Sequence, residues 1–179
     1  MTTSYRGLSK VISGGQTGVD QGGLMAAWAA GVATGGFCPA GWRTTAGPNP
    51  LLAVLGLTEH PSSSYPPRTV LNIETADATL LLGFNLNSAG SRLTAAECAR
   101  VGKPCLQVQF PQGSRSTVAV EITLIETIVS FIIQHQVEVL NVAGNRDSDD
   151  ALPNYHQTLR YVAQALELLA ERELLVRVT

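Results

Sequence analysis

Charge is scarce in this chain. Asp, Glu, Lys and Arg make up 15% of its 179 residues, against about 25% in an ordinary soluble domain. With 45% hydrophobic residues beside it, that scarcity excludes a disordered chain. Lysine is almost missing: Lys10 and Lys103 are the two, so ten of the twelve basic residues are arginine. A net charge of −2 and a pI near 5.9 lack the basic excess of a general nucleic-acid binder, so no nucleic-acid partner is expected. Cysteine is sparse. Cys38, Cys98 and Cys105 form no Cys-x-x-Cys pair, and His60, His135 and His156 stand in no ligand spacing with them. Neither a metal site nor a disulfide framework is therefore expected. The most apolar stretch, Thr117 to Ile133, is interrupted by Glu121 and Glu126, which argues against a membrane span. Met1 to Lys10 lacks the apolar segment of a signal peptide. The expectation is one soluble, cytoplasmic domain over residues 1–179, since a domain takes about 150 residues.

What the chain has in quantity is glycine. Ten of its 17 glycines fall between Gly14 and Gly47. Around them, short apolar runs alternate with helical patterns. Strands are expected at 10–13, 32–37, 78–83, 105–110 and 137–143, with an edge strand at 174–178. Helices are expected at 20–30, 68–76, 93–101 and 117–134, and from Pro153 onward, where proline suits a first helical turn. In the first helix Leu24, Met25, Ala27 and Trp28 form the apolar face, which places Trp28 in the core. In the fourth, Ile122, Ile125, Val129 and Ile132 recur at helical spacing. Residues 39–67, rich in Gly, Pro, Ser and Thr, read as mostly loop, and a loop that long is usually functional. The strand runs lack polar alternation, so the fold class is α/β: a mainly parallel open sheet with helices on both faces, Rossmann-like. Ligands of such folds bind at the carboxyl ends of the strands.

Three strand-to-helix loops are therefore the candidates for chemistry. The first, Ser13 to Gly23, holds Gly14, Gly15, Gln16, Thr17, Gly18 and Asp20. Adjacent glycines permit close backbone approach, and the following helix start offers free N–H groups to an anion. It is neither a Walker-type phosphate loop nor a dinucleotide fingerprint. Thr17-x-x-Asp20 also reads as a capping box. Gly22 and Gly23 sit inside the helix, where close packing or close ligand approach would explain them. The second loop, Gly83 to Thr94, offers Gly90, Ser91 and Thr94 as hydrogen-bond donors and Arg92 as a charge. Thr94-x-x-Glu97 there reads either as a cap or as a source of a general acid or base. The third, Val142 to Ser148, offers Gly144, Asn145, Arg146 and Ser148, with Arg146 able to pair with an anion or with Asp147, Asp149 or Asp150. Arg43 and Arg68 lie in or beside the long loop. Cys38 reads as an inert thiol, having no histidine near it in sequence.

Together these segments resemble the molybdenum-cofactor carrier proteins. Residues Ile12-Ser13-Gly14-Gly15-Gln16-Thr17-Gly18-Val19-Asp20-Gln21-Gly22-Gly23-Leu24 match that family's opening motif. Gly35 to Gly41, Tyr65-Pro66-Pro67-Arg68-Thr69, Asn72, Asp77 to Leu80, Gly90-Ser91-Arg92-Leu93-Thr94, Gly102-Lys103-Pro104 and Asn141 to Ser148 follow in order. Ala40 stands where the family often has a basic residue. The resemblance implies a Rossmann-like fold related to the lonely-guy phosphoribohydrolases and the DNA-processing protein domain, and a homo-oligomer, a tetramer. It implies reversible, non-catalytic binding of the molybdenum cofactor, an anionic pterin, and its delivery to molybdoenzymes. Gly14 to Gly18 and Gly90 to Thr94 would line the site, with Arg68 and Gly144 to Ser148 flanking it. Two alternatives remain: a lonely-guy-like nucleotide N-glycosidase using Glu97, although Leu93 replaces a glycine of that motif, and a module that senses a nucleotide-like ligand without chemistry.

Overall fold

The computed structural model describes residues 5–112, 117–147 and 153–178. Its main sheet has six strands in the order β5-β2-β1-β8-β6-β7: β1 (Lys10–Ile12), β2 (Ala33–Cys38), β5 (Leu57–Glu59), β6 (Ala78–Gly83), β7 (Cys105–Gln109) and β8 (Val139–Gly144). Every pairing in it is parallel. The parallel arrangement follows from the strand sequences. Ala-Thr-Leu-Leu-Leu-Gly in β6 is buried at all positions, which requires cover on both faces. Helices α1 (Val19–Ala29), α4 (Val118–Gln134) and α5 (Pro153–Glu171) pack together over one face, and α2 (Tyr65–Thr75) and α3 (Ala89–Val101) over the other. The main core lies under the three-helix face, around Leu80, Leu82, Val129, Val142, Tyr161 and Leu166. No helix among the described residues is long and apolar enough to cross a membrane.

Connectivity places the candidate site. From β1 the chain moves outward through β2 to β5. It then crosses to β6 and β7 on the other side, and β8 returns between β1 and β6. Strand order therefore reverses beside β1 and β8, and a crevice opens there at the carboxyl ends.

The two glycines inside α1 are explained by packing. A Cβ on Gly22 would lie 2.6 Å from the Tyr155 carbonyl oxygen of α5, and one on Gly23 would lie 2.5 Å from Val142 Cγ1 of β8. The glycines let α1 sit unusually close to both. Because the obstacle at Gly22 is backbone, Gly22→Ala is expected to lose about 1 kcal/mol or more despite its better helix propensity, read as a lower midpoint in thermal unfolding.

Several expected elements shift. Trp28 is 56% exposed and not core: α1 buries Leu24, Ala26 and Ala27, and Trp28 is one position past that face. Ile122 is likewise exposed, while Ile125, Val129 and Ile132 are buried. The expected loop at 39–67 contains a small hairpin, β3 (Arg43–Thr44) with β4 (Gly47–Pro48), a 3-10 turn at Pro50–Ala53 and the edge strand β5. Helix α2 starts at Tyr65, three residues early, with proline in its first turn. Helix α3 starts at Ala89 and is capped by Ser88, whose side chain accepts from the Ser91 amide. The C-terminal segment forms a single parallel bridge, Leu8 to Leu175, rather than a strand.

Candidate functional site

A cleft of about 560 Å³ opens at the crevice, within the usual size range of small-molecule sites. Its walls come from the loops after β1, β6 and β8 and from the first turns of α2 and α3. Of the expected residues, Gln16, Asp20, Arg68, Gly90, Thr94, Gly144, Asn145 and Arg146 line it. Tyr65, Thr69, Phe84, Asn85, Ser88 and Leu93 also line it, with Ala89, Ala143 and Asn154. These were not singled out individually from the sequence, although all but Asn154 lie in segments that were.

Arg68 stands in the first turn of α2, on the cleft floor. It is 9% exposed and lies directly across the backbone of Gly14: a Cβ there would fall 1.7 Å from its Nη1. Gly14 is thus outside the lining but is what allows the guanidinium to lie flat. The helix carrying Arg68 is pinned by Asn72, whose amide donates to the Phe37 carbonyl and accepts from the Phe37 N–H, both at 2.9 Å. Arg68 pairs with Asp20 Oδ2 at 3.5 Å and lies 5.9 Å from the Tyr65 ring centroid. Among the described residues its guanidinium makes no hydrogen bond, and the buried Nε has no partner. An arginine presents five N–H donors, and leaving buried donors unsatisfied is costly. The floor of the cleft is therefore built to receive acceptor atoms.

The first loop is occupied from within. The Asp20 carboxylate accepts from the Gln16 amide at 3.1 Å, and the backbone of Gly144 and Gly14 also stabilises its charge. Burial nevertheless outweighs Arg68 and these amides, and holds the carboxyl above its ordinary value. Thr17 donates its amide to Gln16 Oε1 at 2.9 Å and its hydroxyl to the Asp147 carbonyl at 2.9 Å. Val19 N–H donates to the Asn145 carbonyl at 3.0 Å. The expected capping box at Thr17 and Asp20 is absent: the N-cap of α1 is Gly18, with no side-chain cap bond. Gly18 adopts φ 86°, and a Cβ there would meet the Asn145 carbonyl oxygen at 2.5 Å. Gln16 Oε1 also accepts from the Thr45 amide at 2.9 Å, so the hairpin of the long loop is tied onto this turn. That long-range bond had no signature in the sequence.

Asn145 joins the other two loops. Its side chain accepts from the Asn85 N–H at 2.7 Å and donates to the Asn85 carbonyl at 2.8 Å and to Ser91 Oγ at 3.2 Å. This holds the α3 N-terminus, with Ser88, Ala89 and Gly90, at the cleft edge. The leading N–H groups of a helix have no intrahelical acceptor, and the dipole there favours an anion. Asp147 is buried and spends its carboxylate on the start of α5, accepting from the amides of Asn154 and Tyr155 at 3.0 and 2.9 Å. Arg146, exposed at the rim, forms no ion pair among the described residues.

Most of the remaining candidates lie outside the lining. Ser91 is buried behind the helix start. Arg92 is exposed and bonds the Asn87 carbonyl. Gly15 is outside the lining, and Ser148 is outside the described residues. Thr94 is inside α3 and donates to the Gly90 carbonyl, so the expected cap at Thr94 and Glu97 is not formed. Glu97 is turned to Arg100 at 2.6 Å and does not line the cleft. Arg43 reaches the Ser63 carbonyl at 3.3 Å and lies 5.3 Å from the Tyr65 ring centroid. Cys38 is buried in a small cluster with Leu24, Leu52 and Leu57, and burial pushes its thiol up.

Gly14→Ala tests the floor separately from the fold. The clashing atoms belong to the far end of a flexible side chain, so the guanidinium is displaced and the backbone stays. Thermal stability is expected to change little, while affinity of the cleft for a small anionic probe falls at least about tenfold by calorimetric titration, the usual scale for one lost charge-assisted contact.

A model of the circularly permutated YpsA SLOG family matches residues 11–166. No curated protein is similar enough in sequence to match. Among solved structures, the "Putative molybdenum carrier protein" of Syntrophus aciditrophicus SB superposes with a TM-score of 0.79 at 32% identity, over 90% of this chain and 96% of that one.

Proposed function

The chain belongs to the circularly permutated YpsA SLOG family, and from that premise we propose that it binds, protects and delivers the molybdenum cofactor without catalysis. The observation that carries this reading is Arg68, a buried guanidinium on the cleft floor with no hydrogen-bond acceptor among the described residues. An anionic ligand supplies the missing acceptors. The start of α3 and the rim residue Arg146 give a second place for negative charge, suited to a terminal phosphate. Phe84, Leu93 and Tyr65 offer apolar surface to a pterin ring, and Asn85, Gln16 and Asn154 offer polar atoms to its edge. The described lining contains no Cys or His. A cargo metal would therefore keep its own ligands there, which favours release. In this reading molybdoenzymes are the recipients and the carrier acts as a homo-oligomer, a tetramer, in the cytoplasm.

The test is transfer. Protein loaded with the cofactor and held in air should afterwards reactivate a cofactor-free molybdoenzyme, while free cofactor held alongside does not. Failure to bind, or equal loss in both samples, sinks the carrier reading. Release of free base from nucleoside monophosphates would replace it with the glycosidase.

A further inference from the structure

Asp20 and Arg68 face each other across the cleft floor with unequal surroundings. The carboxylate is 3% exposed and occupies the backbone pocket that the first loop and the α1 dipole would otherwise offer to a ligand anion. The guanidinium, 3.5 Å away, has that carboxylate as its one ion-pair partner among the described residues. With Asp20 ionised, the pair is neutral. A ligand anion docked on Arg68 makes the floor net negative in a place largely shielded from water. We propose that Asp20 is the proton-linked counter-ion of this site: it takes up one proton from solvent when the ligand anion docks on Arg68, and gives it back when the ligand leaves. The inference rests on the reading of the cleft as an anion site.

The other groups around Asp20 do not supply the compensation. The loop before α1 contributes Gln16, which is neutral. Helix α2 contributes Tyr65 beside Arg68, and Arg43 stands beyond the same ring. The loop after β8 contributes Arg146, which is exposed, and Asp147, whose carboxylate is held by α5 amides. The loop after β6 contributes Asn85, and α3 contributes Thr94 and Leu93, all uncharged. Arg92 is turned to Asn87. Proton uptake by Asp20 is then the nearest route to neutrality. Burial already favours its protonated form, and an adjacent anion favours it further. Linkage fixes the consequence: with one proton taken up per ligand, affinity falls by about tenfold for each unit of rising pH. For a carrier, a recipient that restores the Asp20 charge also expels the cargo.

Pterin-6-carboxylate is a suitable probe, because its carboxylate stays ionised near neutral pH. Calorimetric titration at pH 7 in buffers of different ionisation heat should show uptake approaching one proton per ligand bound. Difference infrared spectra of carbon-13 aspartate-labelled protein should show a protonated carboxyl band that appears with the probe. In Asp20→Asn both signals should vanish and affinity should lose its pH slope. Binding by the wild-type protein with neither proton uptake nor the infrared band overturns this inference alone. No binding at all overturns the anion-site reading and this inference with it. The wild-type measurements decide the matter even if the variant does not fold.

Discussion

Arg68→Ala is expected to weaken binding of an anionic pterin by on the order of 100-fold or more, since truncating one side of a buried charged contact costs about 2–5 kcal/mol and each 1.4 kcal/mol is tenfold. Calorimetric titration with pterin-6-carboxylate reads it directly. An effect below about threefold would place the ligand's anion elsewhere. The same variant has a stability signature whose sign follows from Asp20. Its folded-state pKa is raised above the unfolded value, with burial as the main cause and Arg68 as the leading opposing influence. A raised carboxyl favours the folded state while protonated. That contribution is lost as pH climbs from the unfolded value of about 3.9 through the folded one. Removing Arg68 raises the folded value further. The deficit of the variant should therefore be largest at neutral pH and shrink as pH falls toward about 4, as measured by denaturant unfolding across that range.

Asn72→Ala is expected to have the largest effect on the fold itself. Asn72 is buried, and its amide closes two hydrogen bonds with the main chain of Phe37. Alanine leaves both backbone groups without partners, at about 1–3 kcal/mol each. A loss of about 3 kcal/mol in denaturant unfolding is the expected result. Asn72→Asp keeps the acceptor for the Phe37 N–H and loses the donor, so it should fall between the two. Because α2 carries Arg68 one turn earlier, Asn72→Ala should also weaken anion binding at temperatures where the variant remains folded. Full stability in Asn72→Ala would mean that water replaces the side chain.

Long apolar runs and Gly-rich turns made the sheet and its ligand end legible. Ala78 to Gly83 and Val137 to Ala143 read as buried strands because apolar residues fall on both of their faces, and the polar pair Thr79 and Asn141 bond to each other at 3.1 Å; the parallel order follows from the helices between them. The misread parts share a cause. A two-residue strand such as Arg43–Thr44 has no period to detect, and Leu57–Glu59 is paired with β2 on one edge, so two of its three residues stay exposed. In α1 almost every residue is small or apolar, so position around the axis is poorly marked and Trp28 falls off the buried face. In α3 the cap is Ser88, five residues before the expected start at Leu93, and the pattern at Thr94 and Glu97 imitates a start that has already happened.

At the site, chemistry was easier to find than partnership. The three loops and Arg68 stand out by residue type. That the first loop spends its amides on Asp20, Gln16 and Asn145 does not: the bonds to Asp20 and Gln16 are local but leave no mark in residue type, and the bond to Asn145 joins atoms whose closeness only the fold creates. Arg92 illustrates the converse: a charge in the right motif, turned outward to its own loop.

Trp28 and Trp42 are the chain's two tryptophans, and the fold divides them between opposite surroundings. Trp28 ends α1 in open solvent. Trp42 packs on the small cluster beneath the hairpin that Gln16 fastens to the first loop. The molecule thus carries two intrinsic fluorophores. Trp28 serves as an internal reference that quenchers in solution reach readily, while Trp42 emits from beside the hairpin and registers whether that cover shifts when the cleft fills.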